Sequence, residues 1–108
     1  MSARGNHVVL ASQSMDPDVF VWDSMQRLTD YTAGKYKTDD VLRHTLLVAA
    51  GTAAVVVACR ERVVHQRFSA GDADAVGIKL STGRYKGHYG WINSLDLHVP
   101  VRGTPPPP

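Results

Sequence analysis

From residue 53 onward, runs of β-branched and apolar residues alternate with short polar turns, several of them carrying glycine. "AAVVVACRERVV" (53–64) is followed by "SAGDAD" (69–74), "AVGIKLS" (75–81), "TGRYKG" (82–87), "HYGWIN" (88–93), "SLD" (94–96) and "LHV" (97–99). β-Branched side chains suit a pleated, half-buried surface, and Gly, Asp, Asn and Ser favour turns. Several short strands joined by tight turns, in a chain of only 108 residues, predict a small all-β barrel or sandwich. Alternation along these runs predicts that Val55, Val57, Ile78, Leu80 and Ile92 are buried together.

The first half is more ambiguous. Asp16 and Pro17 could open one helix running to Gly34. The dense cluster "VFVW" (19–22) favours a strand instead. The second reading gives a strand over 18–23 and a helix over Ser24–Ala33. Ser24 caps this helix, Met25, Leu28 and Thr32 or Tyr31 form its inner face, and Gly34 ends it. Thr38 is then expected to cap a further helical turn, with Asp39 and Asp40 near its positive end and Val41 and Leu42 along it. Extended chain follows at Leu46–Val48, and Gly51–Thr52 makes a turn. Residues 1–15 are polar and aperiodic and are expected to be a loose extension. Residues 16–101 would form one barrel domain, and 102–108 a mobile, proline-rich tail with polyproline tendency.

Composition narrows the function classes. Twelve Lys and Arg stand against ten Asp and Glu, a formal charge of +2, too mild to point to nucleic acid or an anionic membrane. The single cysteine, Cys59, allows neither an intramolecular disulfide nor a cysteine-based zinc site, and its apolar setting predicts a small buried thiol. The uncharged run "TLLVAAGTAAVVVAC" (45–59) is shorter than the roughly 18–20 residues a bilayer span needs, and a Gly-Thr turn interrupts it. No stretch near the start has the length of a signal-peptide apolar core. A cytoplasmic location is the default expectation, or part of an exported protein if the sequence is a trimmed piece of one. His7, His44, His65, His88 and His98 lack ligand spacing, Asp39–Asp40 fit a helix start, and Asp72 and Asp74 fit a solvated loop. An enzyme is not expected, a small enzyme or enzyme subunit standing only third among the readings, and no metal or organic cofactor is expected.

"GTAAVVV" (51–57) and "VGIKLSTGRYKGHYGWINSLDL" (76–97) together resemble the bacterial branch of the Src-homology-3-like barrels. The pattern is a Gly-Thr turn into a strand, then Gly-x-aromatic-x-Gly-x-x-Gly-Trp-aliphatic with a leucine beyond. Its positions here are Gly83, Tyr85, Gly87, Gly90, Trp91, Ile92 and Leu97. The resemblance implies a small Src-homology-3-like barrel with "VFVW" as its first strand and a partly helical insertion at about residues 24–45. It also implies an interaction role. The acidic loop and "ALYDY"-like start of the eukaryotic proline-binding members are absent, so recognition of proline-rich peptides does not follow from it.

Within "GRYKGHYGWI" (83–92) the glycines are explained by turn and close-approach geometry. The spacing is not that of a phosphate-binding loop, and a strand, not a helix, follows. The aromatics point to a surface. Trp91 and Ile92 are strand neighbours and cannot face the same core. With Ile92 inward, Tyr89 and Trp91 face outward, and Tyr85 joins them from the turn. Flanked by Arg84, Lys86 and His88, these rings form a candidate binding surface for a protein or peptide partner, or a glycan. Either such a partner or the insertion covers Trp91. The interleaved basic and aromatic residues also suit single-stranded nucleic acid, the second reading.

Overall fold

The computed structural model describes residues 4–65 and 72–98. Seven strands form one antiparallel sheet: β1 (His7–Leu10), β2 (Asp18–Trp22), β3 (Thr45–Ala49), β4 (Ala53–Val64), β5 (Ala73–Leu80), β6 (Tyr89–Asn93) and β7 (Leu97–His98). Two short helices, α1 (Met25–Thr32) and α2 (Thr38–Arg43), lie between β2 and β3, and a 3-10 turn, Ser94–Asp96, precedes β7. The strand order is β3-β2-β6-β5-β4-β1-β7, and the sheet curls into a small half-barrel. The chain is thus mostly β, with the partly helical insertion expected near residues 24–45.

The strand-then-helix reading of 18–33 holds. Ser24, in extended conformation, accepts a hydrogen bond from the Arg27 N–H and caps α1. Past its C-terminus Gly34 takes φ +80°, a left-handed conformation that costs glycine little. The second helix starts differently from the expectation. Lys37 is its cap and makes no side-chain cap bond, while Thr38 is the first helical residue. Its Val41 is buried and its Leu42 is 71% exposed.

The sheet buries both of its faces, which explains how so short a chain uses so many apolar residues. On the concave face Val8, Leu10, Val19, Val21, Val56, Val76, Ile78, Leu80 and Ile92 pack together. On the convex face Trp22, Leu28, Val41, Val64, Ala73 and Ala75 form a second cluster, joined by Phe20, Met25, Tyr31 and Trp91. Period-2 alternation sorts the residues: in β2, Val19 and Val21 go to one cluster and Phe20 and Trp22 to the other.

Two expectations are corrected. Within the stretch 1–15, read as loose, His7–Leu10 form β1, paired with β4 on one side and β7 on the other. Four residues are too few to show a period, yet Val8 and Leu10 are almost wholly buried. In β4 the inward residues are Ala54 and Val56, not Val55 and Val57, which are half-buried. "AVVVA" has no alternation of its own, so the partner strand decides. Val56 lies opposite Ile78 and Val55 opposite the exposed Lys79, and a bulge between Val56 and Ala58 displaces Val57 from the ladder. Ile78, Leu80 and Ile92 are buried as expected. The proline-rich tail and residues 69–71 of the expected 69–74 loop lie outside the described residues, while Ala73 and Asp74, read as loop, begin β5.

Candidate functional site

Gly90 sets the geometry around the aromatic residues. β2 and β6 meet at one pair, Trp22 opposite Trp91. A Cβ on Gly90 would stand 2.3 Å from Val21 Cγ1 and 3.0 Å from the Trp22 carbonyl oxygen, so only glycine permits the approach. Ile92 then points into the concave core and Trp91 onto the convex face. There the Trp91 ring lies across Gly77, whose hypothetical Cβ would meet it at 3.4 Å. The parity argument holds, and Trp91, half-buried, packs against the convex cluster to which the insertion contributes Leu28 and Val41.

The proposed single aromatic surface does not form. Tyr85 turns the other way and packs against the concave cluster, with His88 edge-on at 5.6 Å and the Arg84 guanidinium 5.4 Å from its ring centre. Tyr89 stays on the convex side, 65% exposed, with Lys79 Nζ 5.5 Å from its ring centre. Arg84, Lys86 and His88 are exposed on the β5–β6 turn. Tyr89 and His88 border a small cleft of about 220 Å³ with Asp23, Arg43 and His44, where His44 Nδ1 lies 2.6 Å from Asp23 Oδ2. The expected site residues are therefore split between two faces and a turn.

A larger cleft, about 660 Å³, opens on the convex side. Its floor is aromatic. Phe20 and Trp22 come from β2, Tyr31 from α1, and Tyr36 from the chain leaving α1. Ring centres are 5.0 Å apart for Trp22–Tyr31, 4.7 Å for Tyr31–Tyr36 and 6.2 Å for Phe20–Tyr31. Leu47 of β3 forms one wall, and the 12–18 segment with the 3-10 turn forms another. That wall is tied down by two bonds to Asp96: Ala11 N–H donates to its carbonyl at 2.8 Å and Gln13 N–H to its carboxylate at 3.1 Å.

Three carboxylates, Asp16, Asp18 and Asp96, line this cleft. None forms an ion pair with a Lys or Arg among the described residues. Burial pushes the Asp96 carboxyl above its ordinary value and Asp16 pushes it the same way, against the Gln13 hydrogen bonds. Burial also raises Tyr31, with Tyr36 and Asp96 adding to the effect. Asn93 is 6% exposed and borders the cleft; its side-chain oxygen accepts from Leu95 N–H. Its amide nitrogen donates to nothing among the described residues, and a buried donor without an acceptor is costly. His65 also lines the cleft, and its Nδ1 lies 3.1 Å from Asp72 Oδ1.

Sequence reasoning missed this site because no local motif spells it. Its residues come from the 12–18 segment, β2, α1, β3 and the 3-10 turn, which only the folded sheet brings together. The nearest signal was Tyr31 and Tyr36 flanking the helix-ending Gly34. No three His, Cys, Asp or Glu among the described residues are placed to hold a metal ion. No described helix is long and apolar enough to cross a membrane. No protein-family model, curated protein or solved structure matches the chain.

Proposed function

We propose that this chain is a non-enzymatic interaction domain of Src-homology-3-like type that binds a protein or peptide partner in the convex cleft. The observation that carries the reading is the combination of an aromatic floor with three carboxylates that have no Lys or Arg partner, and a buried Asn93 amide nitrogen that has no acceptor, among the described residues. Rigid aromatic rings supply contact area at low entropic cost, and buried polar groups without partners fix the orientation of what binds. About 660 Å³ lies within the usual range for a ligand site. The acids select against phosphate and favour a positively charged group over the rings.

The test is selection from a display library of random peptides, about a dozen residues long, against the whole chain. Recovered peptides should lose about tenfold or more in affinity against Tyr36→Ala and Asp96→Asn, and little against Tyr89→Ala. Failure to recover any peptide, or indifference of the recovered ones to both cleft substitutions, would overturn the proposal. A nucleic-acid ligand is the second reading, favoured by Lys79 beside the Tyr89 ring and by the exposed Arg84, Lys86 and His88 of the adjoining turn. Gel shifts with single-stranded DNA and RNA at two salt concentrations test it, since phosphate-driven binding weakens as salt rises.

A further inference from the structure

One border of the cleft is also an edge of the sheet. β3 is the terminal strand, and its inner side pairs with β2 in the register Val19↔Val48, Phe20↔Leu47, Val21↔Leu46. The hydrogen bonds just beyond the two ends of the ladder fix its parity: Asp23 N–H donates to His44 O at 2.9 Å, and Ala50 N–H to Pro17 O at 2.8 Å. In an antiparallel pair, bonded and non-bonded positions alternate. Leu46 and Val48 therefore turn their N–H and C=O groups toward β2. Thr45, Leu47 and Ala49 turn theirs outward. The Ala49 carbonyl accepts from Thr52, but no described residue outside β3 bonds the outward main-chain groups of Thr45 or Leu47.

Such an edge is usually protected by a charge, a proline or a bulge. "TLLVA" carries none of these, and Leu47 at its centre is 49% exposed. Its free groups ask for one chemistry, an extended peptide backbone. The side-chain geometry says more. Asp18, Phe20 and Trp22 alternate with the concave Val19 and Val21, and Leu47 lies opposite Phe20, so these four cleft-lining residues share the convex face. A strand added beside β3 would place every second side chain on that face, next to Leu47.

Building on the proposed binding role of the cleft, we propose that β3 is a docking edge. An extended basic segment of another protein adds to it as an eighth strand, and its alternate side chains, an arginine or lysine among them, enter the cleft toward Asp16, Asp18 and Asp96. Charge complementarity selects this occupant over a second copy of the chain. A two-fold β3–β3 pairing would bring two acid-lined clefts together, with no basic side chain but His65 among the described residues of either lining.

Amide hydrogen exchange by NMR on the whole chain, with and without a peptide recovered as above, tests the arrangement. In the unliganded chain the Leu46 and Val48 amides should exchange slowly and those of Thr45, Leu47 and Ala49 quickly. Bound peptide should slow the outward three by about tenfold or more while leaving the inward two unchanged. Recovered peptides should carry Arg or Lys, and N-methylation of their pairing amides should abolish binding. Leu47→Pro should also abolish it while keeping the fold, because the amide it removes faces away from β2. If peptides bind in a manner sensitive to Asp96→Asn but leave the Thr45, Leu47 and Ala49 amides unprotected, strand addition is wrong and the cleft reading stands. Equal recovery of acidic peptides would defeat the charge argument. A concentration-dependent dimer with the same alternating protection, and no peptide effect on it, would make a second copy the occupant.

Discussion

Replacing Gly90 with alanine should be among the most damaging single-methyl additions in this chain. The new Cβ would lie 2.3 Å from Val21 Cγ1, whereas unstrained carbons sit about 3.5–4.0 Å apart, so the gap must open by more than 1 Å. Val21 is 2% exposed, and rotating its stiff side chain off its preferred rotamer costs about 0.5–1.5 kcal/mol. Rotation does not relieve the contact with the Trp22 carbonyl oxygen at 3.0 Å, which belongs to the backbone. Moving β6 away instead breaks the one bridge between β2 and β6, with a further loss of about 1 kcal/mol per hydrogen bond. The expected cost of Gly90→Ala is therefore about 2–4 kcal/mol, at or above the usual range for overpacking. Val21→Ala alone should cost about 2–3 kcal/mol through lost burial and a cavity. In the double variant the new methyl occupies the space that Val21 vacates, so the costs should fall short of additivity by about 1–3 kcal/mol. Urea unfolding of all four proteins, followed by tryptophan fluorescence and circular dichroism, measures the cycle. Strict additivity, or a Gly90→Ala protein within about 0.5 kcal/mol of the parent, would refute the close approach.

Other substitutions probe the two cores. Trp91→Ala should cost about 2–4 kcal/mol because the ring packs against the convex cluster, whereas Tyr89→Ala, 65% exposed in the parent, should cost less than about 1 kcal/mol; thermal melts of the pair check this. Ile78→Ala should cost about 2–5 kcal/mol and Val55→Ala clearly less, and equal costs by chemical denaturation would mean that β4 has the opposite parity. Leu10→Ala should also cost about 2–5 kcal/mol, and an unchanged melting temperature would return β1 to the status of a loose extension.

The sequence was most legible where local chemistry and tertiary demand agree. Ser24 and Gly34 bracket α1 because capping and left-handed backbone geometry act within a few residues. The Trp91–Ile92 pair told its own parity, since one residue fits a small aliphatic core and the other does not. Agreement fails where the local signal is degenerate. Three consecutive valines say strand but not which face, and the neighbouring strand and a bulge decide. "HVVL" is short enough to be read as tail, and only pairing on both sides makes it core. Tyr85 does not join Tyr89 and Trp91, because it lies in a turn, where strand parity does not reach. With Gly83 and Gly87 at positive φ, that turn swings the ring back over the concave cluster.

Asp96 connects the energetics of the cleft to its role. Its folded-state value lies above the ordinary 3.8, first because of burial and also because of Asp16. The protonated form is thus favoured in the folded chain relative to the unfolded one. Below 3.8 both states are protonated and no penalty exists. As pH rises through the folded-state value, ionisation favours the unfolded chain and stability is lost. Asp96→Asn keeps the shape and an oxygen to accept from Gln13 N–H but removes the charge. Its unfolding free energy relative to the parent should therefore increase from acid to neutral pH and then level off. Asp16, Asp18, Tyr31, Tyr36 and His65 surround the same cleft in both proteins, so the comparison changes only the Asp96 carboxyl. A difference that stays flat, or falls as pH rises, would show that burial does not disfavour the charge. A group that weakens the fold at neutral pH is explained if a cation restores what burial removes. Binding of a basic peptide should then lower the Asp96 value, and affinity should fall as pH drops through the folded-state value. In Asp96→Asn, affinity should be lower throughout and should lose the Asp96 component of its pH dependence. The same carboxylate then accounts for a stability cost in the free chain and for charge selection in the bound one.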